Sequence, residues 1–238
     1  MKIALIHGQN HKGSTYHIGR LMAEKLAEEK DIYEFFLPRD FGEFCRGCTN
    51  CIVKSESLCP HAEKLKPITG AMDNADVIIL TSPVYVYHCT GSMKAFLDHY
   101  GWRWIVHRPE EKMFSKKGIV ISTCAGGGSR SANKDMKDSL IFWGVPKVYS
   151  VGKAVRAVSW DGVSEKKKAR IESELSRIAA RIKSSGFRPA AGLKGRFFFG
   201  ISRMMNKGGS WNKADTEYWN AKGWTEKKRP WKRLAQPK

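Results

Sequence analysis

Five short apolar runs punctuate the first two thirds of the chain, and the spacing between them sets the architecture. Residues 2–7 (KIALIH), 32–37 (IYEFFL), 76–81 (DVIILT), 117–123 (KGIVIST) and 147–151 (KVYSV) are brief, rich in β-branched or aromatic residues, and read as strands. The DVIILT run is continuous, the mark of a strand covered on both faces. Apolar positions recur at helical spacing over 16–30 (Ile18, Leu21, Met22, Leu26), and 62–75, 90–100, 132–143 and 164–184 also read as helices. This alternation predicts an α/β fold: a five-stranded parallel sheet with helices on both faces, three layers over residues 1–185. Ligands bind such sheets at the carboxyl ends of the strands. Three polar or glycine-rich loops fall there: 8–15, 82–91 and 123–131.

Residues 186–238 break the pattern. Aromatic residues are dense, sheet-forming alternation is absent, and two short helices are predicted near 193–207 and 212–222. Charge separates the same two portions. The chain carries a net +19, but residues 1–150 hold 20 Lys and Arg against 16 Asp and Glu, whereas residues 151–238 hold 22 against 7. The front resembles an ordinary enzyme domain. The rear is a cationic appendage suited to acidic proteins, polyanions or anionic membranes. No apolar stretch reaches the ~18 residues of a membrane span, and Met1 leads straight into the first strand with no leader-like region. A cytoplasmic location is expected.

Each strand-end loop carries its own chemistry. Gly8-Gln9-Asn10-His11-Lys12-Gly13-Ser14-Thr15 precedes a helix, so its backbone N–H groups and two hydroxyls can form an anion site. The spacing approaches a triphosphate loop, but Ser14 stands where the lysine belongs. The loop therefore suits a single phosphate; an ordinary capped strand–helix connection is the other reading. Ser82-Pro83-Val84-Tyr85-Val86-Tyr87 offers flat apolar walls and backbone groups for a planar ring. Gly91 then opens a helix whose Met93, Phe96 and Leu97 read as core. Thr123-Cys124-Ala125-Gly126-Gly127-Gly128-Ser129 has little side-chain bulk, which permits close backbone approach by a ligand or makes a flexible lid. Cys124 reads as a small wall residue, since no activating base can be paired with it.

Together, HGQNHKGSTYHI, DVIILTSPVYVYHCTGSMKAFLDH and STCAGGGS resemble the NADPH-dependent FMN reductase and iron–sulfur flavoprotein branch of the flavodoxin-like superfamily over residues 1 to about 155. The SPVY segment followed by TGSMKAFLD is the most specific part. The resemblance implies a flavodoxin-like domain that binds FMN. It places the phosphate at Gln9, Asn10, His11, Gly13, Ser14 and Thr15, and the ring between Ser82, Pro83, Val84, Tyr85 and Val86 on one side and Thr123, Cys124, Ala125, Gly126 and Gly127 on the other, with Gly91 nearby. The family's first loop often reads G-S-P-R. Without that arginine, His11 or Lys12 is left to neutralise phosphate. Val86 also stands where an aromatic often follows the tyrosine. The implied activity is reduction of bound FMN by NAD(P)H, with electrons passed to a quinone, free flavin or similar small acceptor. No general acid or nucleophile is required of the protein, because the cofactor carries the chemistry.

Cys45-x2-Cys48-x2-Cys51-x7-Cys59 concentrates four of the six cysteines. In a cytosolic protein such spacing points to metal or redox chemistry before disulfides. A [4Fe–4S] cluster, a zinc site and a metal-free loop are the three readings, and Arg46 and Lys54 would partly offset cluster charge. An intact cluster would favour a second function: electron transfer between an acidic, ferredoxin-like carrier, the cluster and FMN. A flavodoxin-fold module without flavin is a third. The basic tail could dock such a carrier, attach to an anionic membrane through Phe197–Phe199 and Met204–Met205, or pack its aromatics on the domain or on a second subunit. A homodimer or homotetramer is expected, and no nucleic-acid motif is present.

Overall fold

The computed structural model describes residues 1–232. Strands β1 (Ile3–His7), β2 (Ile32–Phe36), β3 (Val77–Pro83), β4 (Lys117–Cys124) and β5 (Lys147–Ala154) form one parallel sheet in the order β2-β1-β3-β4-β5. Side-chain alternation divides the core. Ile3 and Leu5 face α1 (Ser14–Glu24) and α6 (Glu165–Ser185), whereas Ala4 and Ile6 face the layer of α3 (Ala62–Asn74), α4 (Gly91–Asp98) and α5 (Ser129–Phe142). The chain leaves β1 toward β2 on one side and returns to β3 on the other. The switch point therefore lies between β1 and β3, where a crevice opens at the strand ends.

The predicted elements are present, with shifted edges. Helix α1 starts at Ser14 and stops at Glu24, and a 3₁₀ turn at Glu29–Asp31 fills the remainder. Strand β5 runs three residues past Val151, because Gly152, Lys153 and Ala154 pair with Ser122, Thr123 and Cys124. Helix α5 begins at Ser129, directly after Gly128, whose φ of 91° turns the chain into it. The cysteine loop holds one helical turn, α2 (Asn50–Val53).

The extension is not a free appendage. Its helices α7 (Leu193–Lys207) and α8 (Lys213–Ala221) close a third apolar cluster in which Phe199, Trp219 and Trp224 pack with Ile105 and Phe114 of the preceding domain. The Trp219 indole donates to the His107 carbonyl at 2.6 Å, and the Tyr218 hydroxyl to that of Pro109 at 2.6 Å. Burial of Phe199 removes it from any membrane-facing surface, while Phe197 and Met204 stay exposed. Among the described residues no helix is long and apolar enough to cross a membrane.

Trp219→Ala should cost ~3–5 kcal/mol in denaturant unfolding, since it empties a fully buried indole site. Trp211→Ser, at an exposed position, should stay within about 0.5 kcal/mol. A pH effect follows from Lys116, whose buried ammonium donates to the Asp73 carbonyl at 2.9 Å and to that of Ala75, beside the carboxyl end of α3. Burial pulls its pKa down to about 8, against the opposing pull of Asp73 and Asp76. The unfolded chain then holds this proton more tightly, so the Lys116 contribution to stability rises from pH 8 to its ordinary value near 10.5. Over that range the stability of the wild type relative to Lys116→Gln should increase in parallel urea titrations.

Candidate functional site

The crevice at the switch point is walled by the ends of four strands. Its lining includes Gln9, His11, Gly13, Ser14 and Thr15 from the first loop, Pro83, Val84 and Tyr85 from the second, and Thr123, Cys124 and Ala125 from the third. A two-way tie holds the first two loops together. The Gly8 N–H donates to the Thr81 carbonyl at 2.6 Å, and the Thr90 hydroxyl donates to the Gly8 carbonyl at 2.5 Å. A Cβ on Gly8 would lie 2.9 Å from both partner oxygens, so only glycine permits this approach. Thr15 and Thr123 join the first loop to the third through their hydroxyls at 2.5 Å.

The entry to α1 is left open. Gly13 stands at its N-cap in an extended conformation and no side chain caps the helix, so its first-turn N–H groups face the crevice end uncapped. The Ser14 hydroxyl is buried without a hydrogen-bond partner. Unsatisfied donors and the positive end of a helix dipole together select an anion. His11 folds over Gly13 and lines the crevice. Lys12 lies instead over the Tyr16 ring, 5.3 Å from its centroid.

The remaining predicted residues lie outside the lining. Asn10 is exposed, its N–H bonded to the Gln9 side chain at 2.8 Å. Ser82 is fully buried and braces the loop, accepting from the Thr90 N–H and donating to the Pro83 carbonyl, both at 2.9 Å. Gly91 begins α4 away from the crevice. Val86 and Tyr87 form the tip of a tight turn closed by mutual backbone hydrogen bonds between Tyr85 and His88 at 3.0 Å. Both tip residues have positive φ, 47° and 67°, a strained state for a β-branched and an aromatic residue. Gly126 and Gly127 are also outside the lining, and Gly128 explains the glycine run differently. A Cβ there would sit 2.6 Å from Val84 and 3.0 Å from the Tyr87 Cα. Gly128 is thus required so that the second loop can pack on the third.

Several lining residues carry no motif. Val155, Ala157 and Val158 belong to a fourth strand-end loop, hidden in the sequence because β5 runs past Val151. His7, the last residue of β1, shares the parity of Ile3 and Leu5. One ring nitrogen meets the Thr81 hydroxyl and the other the Glu34 carboxylate, both at 2.9 Å. Burial holds its pKa below the ordinary histidine value, with Glu34 opposing. The signal available in the sequence was a histidine ending an otherwise apolar run.

The four loop cysteines are all free thiols, exposed at Cys45 and Cys48 and partly buried at Cys51 and Cys59. Burial, followed by the nearby Cys59, Cys45 and Cys48, pushes the Cys51 thiol pKa up, so the four sulfurs share one neighbourhood. Tetrahedral zinc would draw thiolates to roughly 3.8 Å from one another. Among the described residues, the group of donors that closes to within 4.8 Å is instead Cys59, His61 and His99.

Comparison with known proteins agrees with this geometry. Residues 1–159 match the NADPH-dependent FMN reductase family. An iron-sulfur flavoprotein of Archaeoglobus fulgidus is 31% identical over 185 residues, covering 76% of this chain and 79% of the relative. Among solved structures, the apo form of an NADH:FMN oxidoreductase superposes with a TM-score of 0.51 at 17% identity, over 76% of this chain and 89% of the other. An FMN-dependent NADH-azoreductase from Bacillus anthracis gives 0.52 at 14%, over 75% and 100%. At those identities the structures establish a shared fold, while the family match covers the strands and loops that form the crevice. The chain belongs to the NADPH-dependent FMN reductase family.

Proposed function

We propose that the crevice holds FMN, with its phosphate at the uncapped start of α1 and its ring between Pro83–Tyr85 and Thr123–Ala125, and that the chain passes electrons from NAD(P)H to a quinone, free flavin or similar small acceptor. The observation that carries the reading is the pair of unmet needs at one spot: an uncapped helix N-terminus and a buried Ser14 hydroxyl with no partner. A phosphate monoester satisfies both. The missing P-loop lysine argues against a triphosphate. Bound FMN would supply the electron chemistry. The protein's own part is to orient the ring, to exclude water with Pro83, Val84 and Val155, and to set the polarity beneath it through the buried Thr81–His7–Glu34 chain.

A second reading is favoured by the shared neighbourhood of Cys45, Cys48, Cys51 and Cys59 and by the similarity to the iron-sulfur flavoprotein of Archaeoglobus fulgidus. In it the four thiolates hold a [4Fe–4S] cluster, and the chain carries electrons between an acidic, ferredoxin-like protein and FMN. We further propose a cytoplasmic homodimer or homotetramer, built from a flavin domain over residues 1–185 and the extension 186–238.

Anaerobic purification followed by an absorption spectrum and iron and sulfide analysis tests both readings. Retained or tightly rebound FMN is expected, and a chain that binds no FMN overturns the first. Stopped-flow mixing with NADPH, NADH and reduced ferredoxin separates enzyme from carrier by the faster flavin reduction. Ser14→Ala should weaken FMN binding about tenfold, the loss of one hydrogen bond to a charged group, in a fluorescence titration. Cys51→Ser should abolish iron retention and leave FMN affinity unchanged. Equal iron in variant and wild type would remove the cluster.

A further inference from the structure

The cysteine loop is held by Arg108 together with residues of the carboxyl-terminal extension. Helix α2 is a single turn, so its carbonyls have few partners within the helix. Arg108 supplies them: one guanidinium nitrogen donates to the Ile52 carbonyl at 2.8 Å, and the other to the carbonyl of Cys51. Arg108 is itself buried, and its counter-ion comes from the extension, where Asp215 on α8 accepts from it at 2.5 Å. The second Asp215 oxygen receives the Asn212 side-chain amide at 2.8 Å and meets a His107 ring nitrogen at 2.7 Å. Asn212 also donates to the Ile52 carbonyl at 2.9 Å. Asp215 and Asn212 are both almost fully buried. Two polar side chains from two distant segments, Arg108 and Asn212, thus converge on two consecutive carbonyls, one of which belongs to a cysteine, and Asp215 ties the two together.

We infer that the carboxyl-terminal extension is the clamp of the metal loop, with Asp215 acting through Arg108 and Asn212 acting directly on the Ile52 carbonyl to fix the position of the Cys51 sulfur. The inference rests on the cluster reading for its purpose, though not for its geometry. Asp215 and Arg108 are positioning residues. Neither offers a ligand atom to the cysteines, and each acts through the backbone of α2. The clamp also sets a charge. The guanidinium lies against the turn that bears Cys51, and Asp215 cancels it. Without that carboxylate Arg108 would keep only the half-exposed Glu56, 4.0 Å from its Nε, and the less balanced cation beside the cluster would favour the more reduced, more negative state.

The test uses the full chain in two forms. In cluster-free protein, iodoacetamide labelling of each cysteine is followed by peptide mass spectrometry. Asp215→Asn should raise the Cys51 rate about tenfold and Asn212→Ala about threefold, by local opening, while buried Cys89 and Cys124 label as in the wild type. In reconstituted protein, Asp215→Asn should move the cluster midpoint potential upward, and Asp215→Glu and Asn212→Ala should leave it in place. Unchanged Cys51 labelling in both Asp215→Asn and Asn212→Ala overturns the clamp. Equal potential shifts in Asp215→Asn and Asn212→Ala overturn its electrostatic part. Should the wild type assemble no cluster, the cluster reading falls and labelling alone decides the clamp. If Asp215→Asn does not fold, the milder Asn212→Ala decides it.

Discussion

One hydroxyl carries much of the arrangement. Thr90 Oγ1 accepts from the Met93 N–H at 3.2 Å and so caps α4, and it donates to the Gly8 carbonyl at 2.5 Å. It therefore joins the loop after β1 to the segment after β3 across the switch point. Because the Gly8 N–H is also spent on Thr81, that residue has no freedom left in either backbone group. Everything beyond it in the first loop, including the uncapped entry to α1, is positioned from this fixed point. Local hydrogen bonds thus convert a parallel sheet, which by itself offers only a row of strand ends, into a crevice with an uncapped helix start at one corner.

The legible part of the molecule was the part governed by periodicity. Continuous apolar runs and helical spacing predicted the sheet and all the longer helices, because burial on two faces leaves little choice of residue. The uncapped entry to α1 was foreshadowed by an equally elementary pattern, a glycine-flanked turn before a helix. Contacts between distant segments were not readable. Val155 and Ala157 enter the crevice only because β5 pairs with β4 to its end, and Gly128 is required by Val84 and Tyr87, forty residues away in sequence. Within the glycine run only Gly128 is required by the second loop, while Gly126 has open space and Gly127 only ordinary contact with Tyr87.

Charge was the weaker guide at the rear of the chain. A net of +15 over residues 151–238 read as a cationic appendage, while packing of its aromatics on the domain or on a second subunit was among the readings. The density of tryptophan was the better guide, since Trp219 and Trp224 can be buried only with partners for their indoles. The few acidic residues of the tail matter because they are few. Asp215 is spent inside, on Arg108, and this leaves the cationic surface even less balanced than the count implies.

The turn at Val86 and Tyr87 has a consequence for stability. Two bulky residues with positive φ cost the fold on the order of 1–3 kcal/mol each. Asparagine and glycine would form the same turn without that cost. The lip beside the crevice is thus built at the expense of the whole fold, and a more comfortable turn at these two positions would make a steadier protein.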